Sequence, residues 1–337
     1  MGGRAPGFGA GQVPRAAVPL RLAAVCGLAA LLFAAGCTSR VPSSEPDRPI
    51  PPAPTDQAEG PSESEQLTEL YAAVETELTS SGRMRREMAP ADAPYTVDDL
   101  VRDFERVALY DEYVDVNGRF LRSESPAYLR RWDRPVRVGV MTGPSVPAAE
   151  SARDRANVAG FTRRLARLTG LDMQVSDGDD VNFLVLFMNS DERQAFAREV
   201  GARFPGFAPA VTNAIGDSAV DTFCTAYAFS DPADKARYSA VMILIRAEHP
   251  PLTRLSCVHE EMAQAMGLPN DSPEARPSLF NDDLEFALLT EHDEVLLRML
   301  YDPRLNPGMT AEEARPLLPA IARDAMAAEQ AQPRAGT

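Results

Sequence analysis

The residues of this 337-residue chain that could do chemistry gather in one stretch, SCVHEEMAQAMGLPN, residues 256–270. Written on a helix at roughly 100° per residue, Glu260, Gln264 and Glu261 fall within roughly a 100° arc, with Cys257 on the same side. Leu255, Val258, Met262, Ala265 and Met266 form the opposite, apolar stripe. Two carboxylates and an amide on one face could serve general base chemistry or present oxygen ligands to an ion. The simpler reading is the solvated side of an amphipathic helix.

The donor types argue against zinc. Zinc prefers imidazole nitrogen and thiolate sulfur, and neutral amide oxygens are weak donors for it. His259 gives His-Glu-x-x-Ala, with no second histidine at Ala263, and reads as a packed or hydrogen-bonded residue. His249 precedes Pro250 and reads as loop, and His292 as a surface residue or a link to its acidic neighbours. A hard cation is the residual option, with Asp271, Asp282 and Asp283 nearby in sequence. No metal and no cofactor is expected. Nucleophilic catalysis has no better support. There is no G-x-S-x-G around Ser145 or Ser256, and no phosphate loop in a chain whose only lysine is Lys235.

A second chemistry lies at the N-terminus. Arg4, Arg15 and Arg21 precede an uncharged run, Leu22–Gly36, too short to span a bilayer comfortably and suited to a signal-peptide core. It ends Leu32-Phe33-Ala34-Ala35-Gly36-Cys37, which resembles a bacterial lipobox. That resemblance implies cleavage before Cys37, acylation of its thiol and, with Thr38 following, sorting to the outer membrane. Removing residues 1–36 takes away three arginines and no acid, so the remaining chain is not drawn to anionic headgroups by charge. Residues 37–66 are rich in Pro, Ser and acid and read as an unfolded tether. Of four cysteines, Cys224 and Cys257 remain. An exported chain points to a disulfide between them, with two buried thiols as the alternative.

These groups need elements to hold them. Leu67 to about Glu87 has helical spacing, and Thr96-Val97-Asp98-Asp99 opens a second helix with an N-cap. A short extended stretch is expected around Tyr113–Leu121. Pro135–Met141 alternates as a strand and Ala149–Leu168 is a long amphipathic helix closed at Gly170. Met173–Val175 and Phe183–Phe187 read as strands, Ser190 to about Arg203 as a helix, and Thr225–Phe229 and Ser239–Ile245 as strands. Leu252–Met266 is the helix of the acidic arc, stopped by Gly267. The fold class is therefore α/β or α+β. The expected organisation is a signal peptide over 1–36, the tether over 37–66, a helical segment over 67–130, a mixed-sheet domain over 131–327 and a disordered tail over 328–337.

The frame Glu260-Glu261-x-x-Gln264-x-x-Gly267-Leu268-x-Asn270 resembles the zinc helix of metzincin proteases, His-Glu-x-x-His-x-x-Gly-x-x-His. The resemblance places Glu260, Gln264 and Asn270 at the three ligand positions, Glu261 at the base and Gly267 at the turn. Pro277–Asn281 resembles the segment of the metzincin Met-turn, with Phe280 near the methionine position, and Leu289–Tyr301 resembles the helix after it. Residues of about 130–305, with SCVHEEMAQAMGLPNDSP and NDDLEFALLTEHDEVLLRMLYDPRL, are also similar to domain of unknown function 2927, a family of bacterial exported proteins without an established activity.

The acidic balance, 34 Lys+Arg against 49 Asp+Glu, excludes a sequence-independent nucleic-acid binder. With 3 His and 4 Cys, zinc-finger and multi-haem classes are excluded as well. The expected protein is an outer-membrane-anchored periplasmic lipoprotein. Its metzincin-like domain lacks zinc ligands and serves as a binding or scaffold module, without enzyme activity. Its partners would be membrane lipid through Cys37 and a peptide or envelope protein in the old cleft. The alternatives are an atypical hydrolase with Glu261 as general base and a purely structural envelope protein.

Overall fold

A computed structural model describes residues 10–14, 60–116, 119–203, 209–216, 219–281 and 283–331. In chain order the elements are β1 (Ala10–Pro14), α1 (Glu63–Ser80), α2 (Val97–Ala108), β2 (Tyr110–Val116) and β3 (Arg119–Pro126). Then come β4 (Val136–Thr142), α3 (Ala148–Thr169), β5 (Met173–Val175), β6 (Phe183–Met188), α4 (Ser190–Arg203) and α5 (Pro209–Gly216). The last group is β7 (Cys224–Ser230), β8 (Tyr238–Arg246), α6 (Pro251–Gln264), α7 (Glu291–Leu300), α8 (Ala311–Ala314) and α9 (Leu318–Gln330). The expected mixed α/β class holds.

Strand alternation builds the sheet. Its order is β1-β7-β8-β6-β4-β5, with β4, β5, β6 and β8 mutually parallel and β7 antiparallel to β8. Val185, Ile243, Ile245 and Ala226 point into the main core, shared with α2, α3, α6, α7 and α9. Leu186, Met242, Leu244 and Tyr227, one residue out of phase, form the smaller core under α4 and α5. With both faces covered, the strands read as continuous apolar runs. Each buried Val, Ile, Leu or Phe contributes roughly 1.5–3 kcal/mol relative to exposure.

Helix ends follow the local sequence. Thr96 and Thr290 close capping boxes with Asp99 and Asp293, and α3 ends on Gly170 at φ 73°. α1 differs from expectation at both ends. It starts at Glu63, inside the stretch assigned to the tether, because Ser62 and Glu65 form a capping box there. The buried Ser64 then bonds Glu248 at 3.1 Å. α1 stops at Ser80 rather than running to Glu87, since Gly82 turns the chain at φ 79° and Met84 then donates to the carbonyl of Leu284.

The short extended stretch expected at Tyr113–Leu121 is a hairpin, β2 against β3, so residues 67–130 are not purely helical. α2 does not form a separate segment either: Leu100 and Phe104 lie in the main core with the sheet. α9 continues to Gln330, beyond the start of the expected tail at 328. Among the described residues no helix is long and apolar enough to cross a membrane. The leader's Leu22–Gly36 run and Cys37 lie outside the described residues.

Candidate functional site

The polar arc of α6 is not solvated. Glu260, Glu261, Gln264 and Asn270 are 3%, 0%, 2% and 2% exposed. This corrects the expectation of a water-facing helix side. A helix on the surface of a sheet has one free side, but here the chain after α6 folds back on it, with Asp271 bonded to Gln264, and the polar side is buried.

The return is built from the end of the helix. The carbonyl of Ala265 accepts from Trp132 Nε1 at 3.0 Å, and that of Met266 from the Tyr301 hydroxyl at 2.9 Å. Both would otherwise be orphans at the helix C-terminus. Gly267 follows at φ 125°, and a Cβ there would sit 2.1 Å from the carbonyl oxygen of Arg130. No side chain fits this close approach of two backbones.

Past the glycine, the chain meets the helix it has just left. Gln264 Nε2 donates to Asp271 Oδ1 at 2.9 Å. Asn270 turns the other way: its Nδ2 donates to the carbonyl of Arg106 at 2.9 Å and its backbone N–H to that of Val107 at 3.2 Å. So Asp271, not Asn270, completes the contact with residue 264, and Asn270 fastens the loop to the end of α2. At the other end of the arc, Cys257 is disulfide-bonded to Cys224 at the start of β7, with Cα atoms 5.9 Å apart. The expected disulfide is present, and it pins α6 to that strand.

The buried charges around the arc come from several elements. Burial first, and then the charges of Glu112 and Asp271, push the Tyr113 hydroxyl well above its usual range, while Arg122 pulls it down. Asp271, past the Gly267 turn, thus acts electrostatically on the Tyr113 hydroxyl of the hairpin. Burial raises the Tyr227 hydroxyl on β7 in the same way, with Arg193 opposing and Glu261 reinforcing. Arg193 itself is brought down to about 10, by burial first and then by repulsion from Arg246.

The histidines are structural. His259 stacks on Phe161 with ring centroids 4.2 Å apart, and its Nδ1 accepts from the Leu289 N–H at 3.1 Å. That agrees with a packed, hydrogen-bonded residue. His249 lies in a loop, as expected, with Nε2 2.9 Å from the carbonyl oxygen of Phe223. His292 is fully buried, which corrects its placement on the surface. Its Nε2 is 3.1 Å from Asp103 on α2 and its Nδ1 3.5 Å from Asp293, so it does link to acids. Asp293 also accepts from Ser278 Oγ at 2.6 Å and from the Leu279 N–H at 3.0 Å. Phe280, at the expected Met-turn position, is buried in this packing.

The link of His292 to neighbouring acids was legible in the sequence, but its partner on α2 was not. Thr290-x-x-Asp293 is legible as a capping box, but the partner Asp103 lies far away in the chain. Of the hard-cation candidates, Asp271 bonds Gln264, Asp283 accepts the N–H of Glu285 at 2.8 Å, and Asp282 lies outside the described residues. Among the described residues, no group of three or more His, Cys, Asp or Glu is placed to hold a metal ion. Ser145 is engaged as a structural group, its backbone N–H donating to Glu192 at 2.8 Å.

Comparison with known proteins adds one relation. A family model described as "Protein of unknown function (DUF2927)" matches residues 97–320, more than half of the chain. The match opens on the first residue of α2 and closes inside α9. No curated protein and no solved structure matches the chain.

Proposed function

The chain belongs to the DUF2927 family, and on that premise we propose that it is a lipid-anchored envelope protein whose α/β body binds a partner rather than hydrolysing a substrate. In this reading Cys37 carries the lipid at the outer membrane and the body faces the periplasm. The body descends from a metzincin-type frame whose ligand positions, Glu260, Gln264 and Asn270, have become structural.

One observation carries the non-catalytic part. The side-chain amides of Gln264 and Asn270 donate to Asp271 and to the carbonyl of Arg106, and Glu261, on the helix side of Gln264, is 0% exposed. A general base must come within about 2.6–3.2 Å of the proton it takes, directly or through one water. A carboxylate enclosed by its own chain does not offer that approach. The Gly267 turn, which returns residue 271 to the helix at residue 264, is the feature that favours the metzincin frame. Since the chain itself fills the space over this arc, the partner surface is sought elsewhere on the body.

The test is an assay of the purified protein against a broad peptide library, with elemental analysis of the same sample. The expected outcome is no turnover and no stoichiometric metal. Turnover that disappears in Glu261→Gln would overturn the reading in favour of a hydrolase.

A further inference from the structure

We propose that α7 is the hub of a proton-operated latch: protonation of its His292, and of a carboxyl pair that its Glu294 forms with Glu329, locks α2 and α9 onto it, and loss of these protons loosens α9. The proposal goes beyond the reading above and does not depend on it.

His292, Asp293 and Glu294 are consecutive in the first turn of α7 and are 0%, 0% and 6% exposed. His292 reaches α2, with Nε2 3.1 Å from Asp103, and lies 3.5 Å from Asp293 through Nδ1. Glu294 reaches α9, where its side chain is hydrogen-bonded to that of Glu329, the last residue but one of the helix. The two side chains are 8% and 10% exposed. Each also has an arginine: Arg164 Nε of α3 lies 2.5 Å from Glu294, and Arg298 Nε of α7 lies 2.9 Å from Glu329. Ionised carboxylates only accept hydrogen bonds, so the bond between the two needs a proton on one of them. Two carboxylates sharing a site resist ionising together.

The remaining charges at this junction come from three sides. Arg102 of α2 holds Asp103 at 2.9 Å. The Tyr95 ring, ahead of α2, stands edge-on to His292 with centroids 5.0 Å apart and feels the charges of Glu291, Glu329, Asp293 and Glu294. With both protons bound, Asp103, Asp293, Glu291 and one charge of the pair are matched by Arg102, Arg164, Arg298 and His292. Without them the carboxylates are in excess. Among the described residues, Arg298 Nη2 is buried with no hydrogen-bond partner, so the locked arrangement leaves a donor that a second arrangement can engage.

Both sites have the same sign. Burial first, then the bond and the charge of Glu294, raise Glu329 above its ordinary 4.5, with Arg298 opposing. Burial lowers His292, but its bonds to Asp103 and Asp293 outweigh this and raise it above 6.5. The folded chain therefore holds both protons more tightly than the unfolded one. The stabilisation is complete below 4.5 for Glu329 and below 6.5 for His292, and each part is lost as pH rises through the raised value. The element released is α9, whose Leu318, Ile321, Ala322 and Ala325 are buried in the main core, so loosening it opens apolar surface there.

The experiment is hydrogen exchange by mass spectrometry on the full chain, from about pH 5 to about pH 8, corrected for the intrinsic rate of each amide. Protection of residues 321–330 in α9 should fall by about tenfold or more as pH rises, while that of residues 241–245 in β8 stays constant. Glu329→Gln cannot ionise and should keep α9 at its low-pH protection across the range. Glu294→Gln neutralises the pair from the other side and takes its place if the first variant does not fold. His292→Gln should keep the step at lower pH and lose the one above 6.5. A parent chain whose α9 protection ignores pH would overturn the proposal without any variant. So would a pH response that survives in the folded carboxamide variant, or a fall in β8 equal to that in α9, since that is loosening of the whole body rather than release of one helix.

Discussion

Gln264 and Asn270 direct their amides at the chain itself, and this decides how substitutions at the arc should behave. Removing one partner of a buried hydrogen bond costs about 1–3 kcal/mol. Asn270→Ala should lower stability by that amount, because the carbonyl of Arg106 loses its donor where α2 meets the loop; urea denaturation measures it. His292 sets a pH dependence. Burial pulls its pKa down, but hydrogen bonds to Asp103 and Asp293 outweigh this and hold it above the ordinary 6.5. The folded protein therefore binds the proton more tightly than the unfolded chain. That stabilisation is complete below pH 6.5 and is lost as pH rises through the elevated value. His259 has the opposite sign: burial first, then Arg164, push it down to about 3, so its contribution is present above pH 6.5 and fades as pH falls. In a urea series across pH, His292→Gln should remove the loss on the alkaline side and leave the acid side unchanged. An identical alkaline slope in parent and variant would count against a charged His292.

At the scale of elements, α6 is held at two points by different means. The disulfide ties its middle to β7 and closes a loop with a sequence separation of 33. On the chain-entropy estimate this contributes about 3–4 kcal/mol. Cys224→Ser with Cys257→Ser should lower the unfolding free energy by that amount, and added reductant should then have no further effect. Gly267 governs the turn after the C-terminal end of α6. Gly267→Ala drives a methyl group into the Arg130 carbonyl and should cost more than about 3 kcal/mol or prevent folding. Gly308→Ala is the control. Its φ is 93° and its nearest neighbour, Ala236 Cβ, is 3.7 Å away, so only backbone strain of roughly 1–2 kcal/mol applies. Similar costs at both positions would mean that the contact with Arg130 does not matter.

For the whole molecule, α2, the sheet, α7 and α9 share one core, and the family match over residues 97–320 coincides with that unit. α1 lies outside the match but is bonded to it, through Tyr71 to the carbonyl of Val220 at 2.7 Å and through Glu75 to Thr253. The proposed lipid anchor is tested on the full chain. Cys37→Ala should abolish metabolic palmitate labelling and leave an unprocessed precursor or a soluble product; unchanged labelling would refute lipidation at Cys37.

Local information was enough for some features of this protein. Apolar periodicity and caps place α2, α3, β4, β6, β8 and α6 close to where they lie, because each signal is complete within one element. The disulfide was expected from two leftover cysteines in a chain read as exported, over the alternative of two buried thiols. What tertiary structure decided is what the polar arc faces. Glu260, Glu261 and Gln264 share a helix side in either case, but whether water or protein covers it depends on the returning chain: the Gly267 turn brings Asp271 onto Gln264, and Asn270 fastens that loop to Arg106 and Val107 of α2. His292 shows the same divide: its capping neighbour Asp293 is adjacent, whereas Asp103 arrives from another helix. Periodicity reports which side of a helix is polar. Only packing between distant segments determines whether that side remains in water.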